Sequence, residues 1–323
     1  MPITKKLKLA VIIPSYKVKK TIIDVVNTVG KNVSKIYVVD DFCPEGSGKF
    51  VLSQIKDRRV KVIFNKKNLG VGGAVIEGYK QAIKDNIDIA IKIDGDNQMD
   101  PRLLDIFVTP ISEGHADYTK GNRFYNLSGL KLMPKGRLLG NAALSFATKI
   151  SSGYWNIFDP TNGYTAIHTK LLSILELDKV SKRFFFETDM LFRLNIIKAV
   201  VVDIPMNSKY SDEISNIKIH KIFFEFTLKH FRNFVKRIFY NYYLRDMSLA
   251  SIELIFGIFL VIFSVCYGFG RFFQNNNIGQ ETPTGEIMIT FTSIILGIQL
   301  ILAFLSYDIN SMPKNPIHKS IFK

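Results

Sequence analysis

Two long apolar stretches late in the chain limit its fold more than any other feature. Leu249–Gly270 carries a single charge, Glu253, near its start, and Ile287–Tyr307 carries none. Each has roughly the 20 residues a helix needs to cross the hydrocarbon core of a bilayer. A polar, Asn-rich loop separates them, so the expected structure is a transmembrane hairpin. The competing reading, a helical pair buried in a soluble domain, asks a chain of this size to hide both. The flanks give the orientation. Lys218, Lys221, Lys229, Arg232, Lys236, Arg237 and Arg245 precede the first stretch, and Lys314, Lys319 and Lys323 follow the second. Only Arg271 stands between them, against Glu281 and Glu286. The positive-inside rule then puts both termini in the cytoplasm. An integral membrane protein is expected, with a bacterial inner membrane as its setting.

The net charge of +15 implies an anionic partner, either a membrane face or nucleic acid. The basic residues gather beside the apolar stretches and match no nucleic-acid motif, so membrane lipid is expected and nucleic acid is not. Cys43 and Cys266 are too isolated for a disulfide framework or a cysteine zinc site. The opening Met-Pro-Ile-Thr-Lys-Lys-Leu-Lys leads into a strand-like segment rather than a signal-peptide core.

Upstream, Leu9–Pro14, Ile36–Asp40, Val60–Phe64 and Ile89–Ile93 read as strands, and Lys19–Val29 and Gly72–Lys84 as helices. This alternation predicts an α/β domain, a mostly parallel sheet with helices on both faces. Lys135–Ile150 places Leu138, Leu139, Ala142, Ala143, Phe146 and Ile150 on one helical face, toward either the core or a membrane surface. His220–Tyr243 keeps Phe224, Leu228, Phe231, Val235, Ile238 and Tyr242 in helical register among basic residues, the pattern of a helix lying in the headgroup region. The expected division is an N-terminal cytoplasmic domain over 1–217, an amphipathic juxtamembrane region over 218–248, two spans within 249–307 and a basic tail over 308–323. Gly257, Gly268 and Gly297 would permit close helix contacts, including lateral association into a homo-oligomer.

The run Ile89-Ala-Ile-Lys-Ile-Asp-Gly-Asp-Asn-Gln98 carries the chemistry. Asp94 and Asp96 follow a strand, at the end where open α/β sheets bind ligands. Two carboxylates suit Mg²⁺ or Mn²⁺, with substrate phosphates completing the shell. The arrangement fits a nucleoside diphosphate, although an Asp-Gly-Asp also makes ordinary turns.

Other stretches add to it: Val11-Ile-Ile-Pro-Ser-Tyr16, Val38-Val-Asp-Asp41, Asn68-Leu-Gly-Val-Gly-Gly-Ala74 and Lys120-Gly-Asn-Arg-Phe124. Together they resemble the family 2 glycosyltransferases of GT-A (Rossmann-like) fold, over roughly residues 8–215. With the two C-terminal stretches, the resemblance is closest to the polyprenyl-phosphate glycosyltransferases, the group that includes dolichol-phosphate mannose synthase. It implies an inverting, Mg²⁺- or Mn²⁺-dependent transferase. The donor would be a nucleoside diphosphate sugar, UDP-linked by preference, and the acceptor an undecaprenyl or dolichyl phosphate. Alternatives are a same-fold enzyme acting on a glycan or protein hydroxyl, and a non-catalytic tethered scaffold.

The resemblance also implies roles for residues. Pro14, Tyr16, Asp40, Asp41, Gly70, Gly73 and Asp94 would bind the donor, with Asp41 at the base. Asp96 would contact the metal first, with Asp94 and Gln98 beside it. Arg123 and Arg137 would hold the acceptor phosphate. Asp159-Pro-Thr-Asn-Gly-Tyr164 resembles the acceptor-side turn, and Phe184–Met190 brings Glu187 and Asp189 near the reaction centre. A lipid phosphate is already ionised, so these two acids are expected to position and stabilise rather than to take a proton. The chain departs from the family in places. Tyr16 is followed by Lys17 and Val18 where relatives carry Asn-Glu, and Lys209–Lys218 stands where relatives have Arg before Gly-x-Ser-Lys. There is no Gln-x-x-Arg-Trp, the only tryptophan being Trp155, which argues against a processive synthase.

Overall fold

The computed structural model describes residues 7–125, 135–207 and 219–320, with backbone alone at 135–137 and 219–223. The expected α/β architecture is present. Among the described residues seven strands form one sheet: β1 (Leu9–Ser15), β2 (Lys35–Asp40), β3 (Val60–Phe64), β4 (Ile89–Lys92), β5 (Tyr118–Asn122), β6 (Thr165–His168) and β7 (Val201–Pro205). Their order is β3-β2-β1-β4-β6-β5-β7. β1 runs parallel to β2 and β4, β2 to β3, and β5 to β7, while β6 is antiparallel to both its neighbours, β4 and β5.

Successive side chains of a strand point to opposite faces, and both faces here are covered. Ala10 and Ile12 of β1 pack with Ala74, Val75 and Tyr79 of α3 (Val71–Lys84). Val11 and Ile13 pack with Ile22 and Val25 of α1 (Ile22–Thr28) and Phe107 of α4 (Leu104–Ser112). Burial on both faces is why β1, β2 and β4 read as near-continuous apolar runs. At Gly78 a Cβ would overlap the Ile12 side chain, so α3 lies directly on β1. Between β2 and β3 the chain forms α2 (Ser47–Gln54), which the sequence pattern did not disclose. The remaining helices of this part are α5 (Lys135–Ser152), α6 (Thr169–Ile174), α7 (Phe186–Ile196) and α8 (Ile219–Phe239).

The chain divides into two compact units, Met1–Phe234 with Pro313–Lys323, and Val235–Met312. Within the first, Phe224, Leu228 and Phe231 of α8 form an exposed apolar stripe, and Leu139 and Phe146 of α5 are exposed as well. The second holds a π-helical turn (Tyr240–Arg245) and the helices α9 (Leu249–Asn277) and α10 (Thr284–Asn310). These helices run 29 and 27 residues, and each contains one apolar stretch, from the first residue in α9 and centrally in α10. Only 22% and 11% of their most apolar windows are buried, whereas the core helices of a soluble domain would be mostly covered. The pair suggests membrane association. Gly257 and Gly297 face each other across the hairpin, where a Cβ on either would lie 3.0–3.1 Å from the other's carbonyl oxygen. A Cβ on Gly268 would instead meet the Thr290 side chain, at 2.6 Å. These small residues are used inside the hairpin itself. Near its base the Arg237 guanidinium donates to both oxygens of Asp308, at 2.6 and 3.0 Å, and the Tyr242 hydroxyl donates to the same carboxylate.

Candidate active site

The carboxyl ends of β1, β2 and β4 open onto a pocket of about 390 Å³. Parallel strands leave this edge free, because each continues into a loop that turns back over the sheet. Pro14 lines it from the end of β1 and Tyr16 from just beyond, Asp41 from just after β2, Gly70 from the start of α3, and Asp94 and Asp96 from the loop after β4.

The Asp-Gly-Asp turn is built locally. Asp96 Oδ1 accepts a hydrogen bond from the Gln98 backbone N–H at 3.0 Å, and Asn97 takes a left-handed conformation with φ 62°. Asparagine tolerates that region better than most residues. Behind the turn lies a buried cation. Lys92, the last residue of β4, is 1% exposed, and its Nζ lies 2.9 Å from Asp94 Oδ1 and 3.0 Å from Glu187 Oε1. Burial alone would push this ammonium down, but Asp94 and Glu187 outweigh it and hold the group above its ordinary range. A second buried lysine, Lys120 of β5, donates to the Asn162 carbonyl. Burial lowers it to about 8, with Glu187 and Asp159 opposing. Gly163 passes so close to this group that a Cβ there would overlap both Asp94 Oδ2 and Lys92 Nζ.

Asp40 and Asp41 are neighbours with different surroundings. Asp40 takes the backbone N–H groups of Cys43 and Gly48, both at 2.7 Å, and so shapes the turn into α2. Asp41 accepts from Asn65 Nδ2 and from the N–H groups of Leu69 and Gly70, each at 2.8 Å, and lines the pocket while holding the loop before α3. Gly70 has φ +85°, a conformation that favours glycine. What the glycine run makes room for is protein. A Cβ on Gly70 would meet the Lys182 carbonyl and the Arg183 side chain, and one on Gly72 would meet the Ser181 carbonyl and Phe186. Gly73 donates its N–H to the Lys182 carbonyl at 3.0 Å. Residues 181–184 thus lie as a strap across the start of α3, and Arg183 and Phe184 line the pocket from it.

Glu187 and Asp189, two apart on α7, point to different partners, as a helix requires. Glu187 meets Lys92. Asp189 accepts from the Ser181 N–H at 2.9 Å, from Arg193 Nε at 3.2 Å and from Asn233 Nδ2 of α8 at 3.0 Å. It therefore ties the strap to α8 and does not line the pocket. Arg123, also outside the pocket lining, forks onto the fully buried Asp159 with Nε at 2.7 Å and Nη2 at 2.9 Å, and reaches Thr161 Oγ1 at 3.1 Å. Arg137 begins α5, but its side chain lies outside the described residues, as does the Lys209–Lys218 segment.

Of the residues expected from sequence, the structure brings Pro14, Tyr16, Asp41, Gly70, Asp94 and Asp96 around one pocket, with Gln98 in the same turn as Asp96. Asp40, Gly73 and Asp189 hold its walls. Lys92, Gly163 and Arg183 were not foreseen. A lysine inside an otherwise apolar strand was the one available signal for the first. Among the described residues no three His, Cys, Asp or Glu side chains converge to hold a metal. Asp94 and Asp96 line the same pocket, with Asp94 Oδ1 turned to the Lys92 ammonium. Two carboxylates fit a hard cation that takes its other oxygens from phosphates and water.

Comparison with known proteins agrees with this geometry. A profile described as glycosyl transferase family 2 matches residues 10–175. The UDP-N-acetylglucosamine–dolichyl-phosphate N-acetylglucosaminyltransferase of Methanococcus voltae is 29% identical over 216 residues, 62% of this chain and 85% of that protein. The undecaprenyl-phosphate mannosyltransferase of Micrococcus luteus is 29% identical over 177 residues, 54% and 71% of the two chains. Among solved structures, glucosyl-3-phosphoglycerate synthase from Mycobacterium tuberculosis, in complex with Mn²⁺, UDP and glucosyl-3-phosphoglycerate, superposes with a TM-score of 0.54 at 14% identity. The match covers 72% of this chain and 80% of that one, a likeness of fold.

Proposed function

The chain belongs to glycosyltransferase family 2, and from that premise we propose that it transfers one sugar from a nucleoside diphosphate sugar, UDP-linked by preference, to a polyprenyl phosphate at the cytoplasmic face of a membrane. The pocket at the ends of β1, β2 and β4, where Asp41, Gly70, Asp94 and Asp96 meet, carries this reading. The names of the two relatives, both transferases acting on a polyprenyl or dolichyl phosphate, support the acceptor class.

In this reading Pro14, Tyr16 and Asp41 receive the nucleoside, and Asp40 and Gly73 shape the walls around it. Asp96, Asp94 and Gln98 hold Mg²⁺ or Mn²⁺, which when bound would offset the charge gathering on the departing diphosphate. Lys92 and Glu187 keep Asp94 in place beneath the donor. Arg123 fixes the Asp159–Tyr164 turn on the acceptor side, and with Arg137 supplies positive charge toward the lipid phosphate. That phosphate is ionised near neutral pH, so it attacks the anomeric carbon without a strong base, and single displacement inverts the configuration. The exposed apolar stripe of α8, interleaved with Lys229 and Arg232, supports a helix lying at the headgroups beside the acceptor.

The test uses the full chain in lipid with polyprenyl phosphate, Mg²⁺ or Mn²⁺, and a panel of radiolabelled UDP- and GDP-sugars. Label entering the organic phase from one donor supports the reading and names the sugar. No transfer from any donor, beside an active control enzyme, overturns the lipid-phosphate acceptor.

A further inference from the structure

We propose that Arg183 is the protein's cation for the diphosphate of the nucleotide donor, an assignment that rests on the donor reading above. Three carboxylates line the pocket, Asp41, Asp94 and Asp96, and among the described residues Arg183 is the only basic side chain that lines it. A nucleoside diphosphate brings further negative charge into that space. One divalent cation offsets two charges, and the nearby Lys92 is buried and engaged by Asp94 and Glu187. An added guanidinium is what the balance lacks, and its fork suits phosphate oxygens.

Arg183 is also delivered rather than loose. Its strap is pinned on one side by the Ser181 N–H on Asp189 at 2.9 Å and on the other by the Lys182 carbonyl on the Gly73 N–H at 3.0 Å. Its Cγ lies against Gly70, close enough that a Cβ there would come within 2.9 Å. The backbone cannot drift far, yet the side chain is exposed and has no carboxylate partner among the described residues. The alternative source of the same chemistry is the acceptor's lipid phosphate. Sharing a wall with Asp41, Gly70 and Asp94 favours the donor.

The experiment measures equilibrium binding to the full chain in detergent with Mn²⁺, using UDP, GDP, the matching nucleosides and farnesyl phosphate as probes. Arg183→Gln is expected to weaken the preferred nucleoside diphosphate at least tenfold, to leave its nucleoside unchanged, and to leave farnesyl phosphate unchanged. Arg183→Lys is expected to recover part of the loss. Unaltered diphosphate binding in Arg183→Gln overturns the assignment. So does equal loss of diphosphate and nucleoside, which marks a structural role, and so does selective loss of farnesyl phosphate, which moves the arginine to the acceptor. Failure of the unsubstituted chain to bind either diphosphate overturns the donor reading itself, a result distinct from all of these.

Discussion

The Lys92 ammonium donates to the Glu187 carboxylate across 3.0 Å, joining the end of β4 to the first turn of α7 with both groups buried. Asp94 stands on the other side of the same ammonium at 2.9 Å. One positive charge therefore serves two carboxylates, and removing it leaves the buried Glu187 without a cation beside the pocket-lining Asp94. Breaking a buried pair from one side typically costs ~3–5 kcal/mol. Lys92→Met is expected to lower the thermal midpoint sharply and to abolish transfer. Adding Glu187→Gln should return a large part of the stability without the activity. Additive effects of the two substitutions would show that the groups do not interact.

Asp96 is placed differently. It is half-buried at the pocket, and its Oδ1 accepts the Gln98 N–H within the local turn. Asp96→Ala should leave the fold intact by circular dichroism and thermal melting. It should reduce transfer by at least ~100-fold, the scale of losing a preorganised group that stabilises transition-state charge. Near-normal turnover in this variant would remove Asp96 from the metal site.

How far the sequence disclosed this arrangement depended on whether the signal was local. β1 to β4 are apolar runs ended by turns, and they were legible. β5 is Tyr-Thr-Lys-Gly-Asn and β6 only Thr-Ala-Ile-His, so neither shows an apolar period, and the antiparallel insertion of β6 was not foreseeable. Asp94 and Asp96 announced themselves through their spacing. Lys92 and Glu187 stand 95 positions apart, and no pattern in either segment indicates that they meet. Glu187 and Asp189 were grouped because they stand two apart in sequence. The helix separates them, one toward the pocket floor and the other toward Ser181 and Asn233.

Gly163 tests the floor of the site from its backbone. A methyl group there would overlap Asp94 Oδ2 and Lys92 Nζ together, and both are held by ion pairing. Gly163→Ala is therefore expected to displace Asp94, at a stability cost of ~1–3 kcal/mol. Activity should fall further than this, since a shift of about 1 Å can cost ~100-fold in rate. Metal affinity, read by titrating Mn²⁺ and following its paramagnetic signal, should weaken as well. Loss of stability with unchanged Mn²⁺ affinity would count against Asp94 as a ligand.

His168 gives the chain a defined acid sensitivity. Its Nδ1 accepts the Lys170 N–H at 3.3 Å, capping α6, and its ring stacks on His318 at 4.6 Å. Burial, with His318 and Lys170 adding to it and Asp88 and Asp117 opposing, lowers it to about 4. A histidine held neutral in the fold binds fewer protons than it does unfolded, so stability rises with pH through this window. The full contribution is present above about 6.5 and is lost as pH falls toward 4. By pH 5 the loss is ~2 kcal/mol from this group alone. His230 is lowered in the same direction by burial and adds its own share. His168→Asn keeps an effective cap but cannot titrate. Relative to this variant, the unsubstituted chain should lose thermal stability steadily from pH 7 to pH 5, His230 contributing equally to both. A constant difference between their melting curves across that range would mean that His168 is not held neutral in the folded protein.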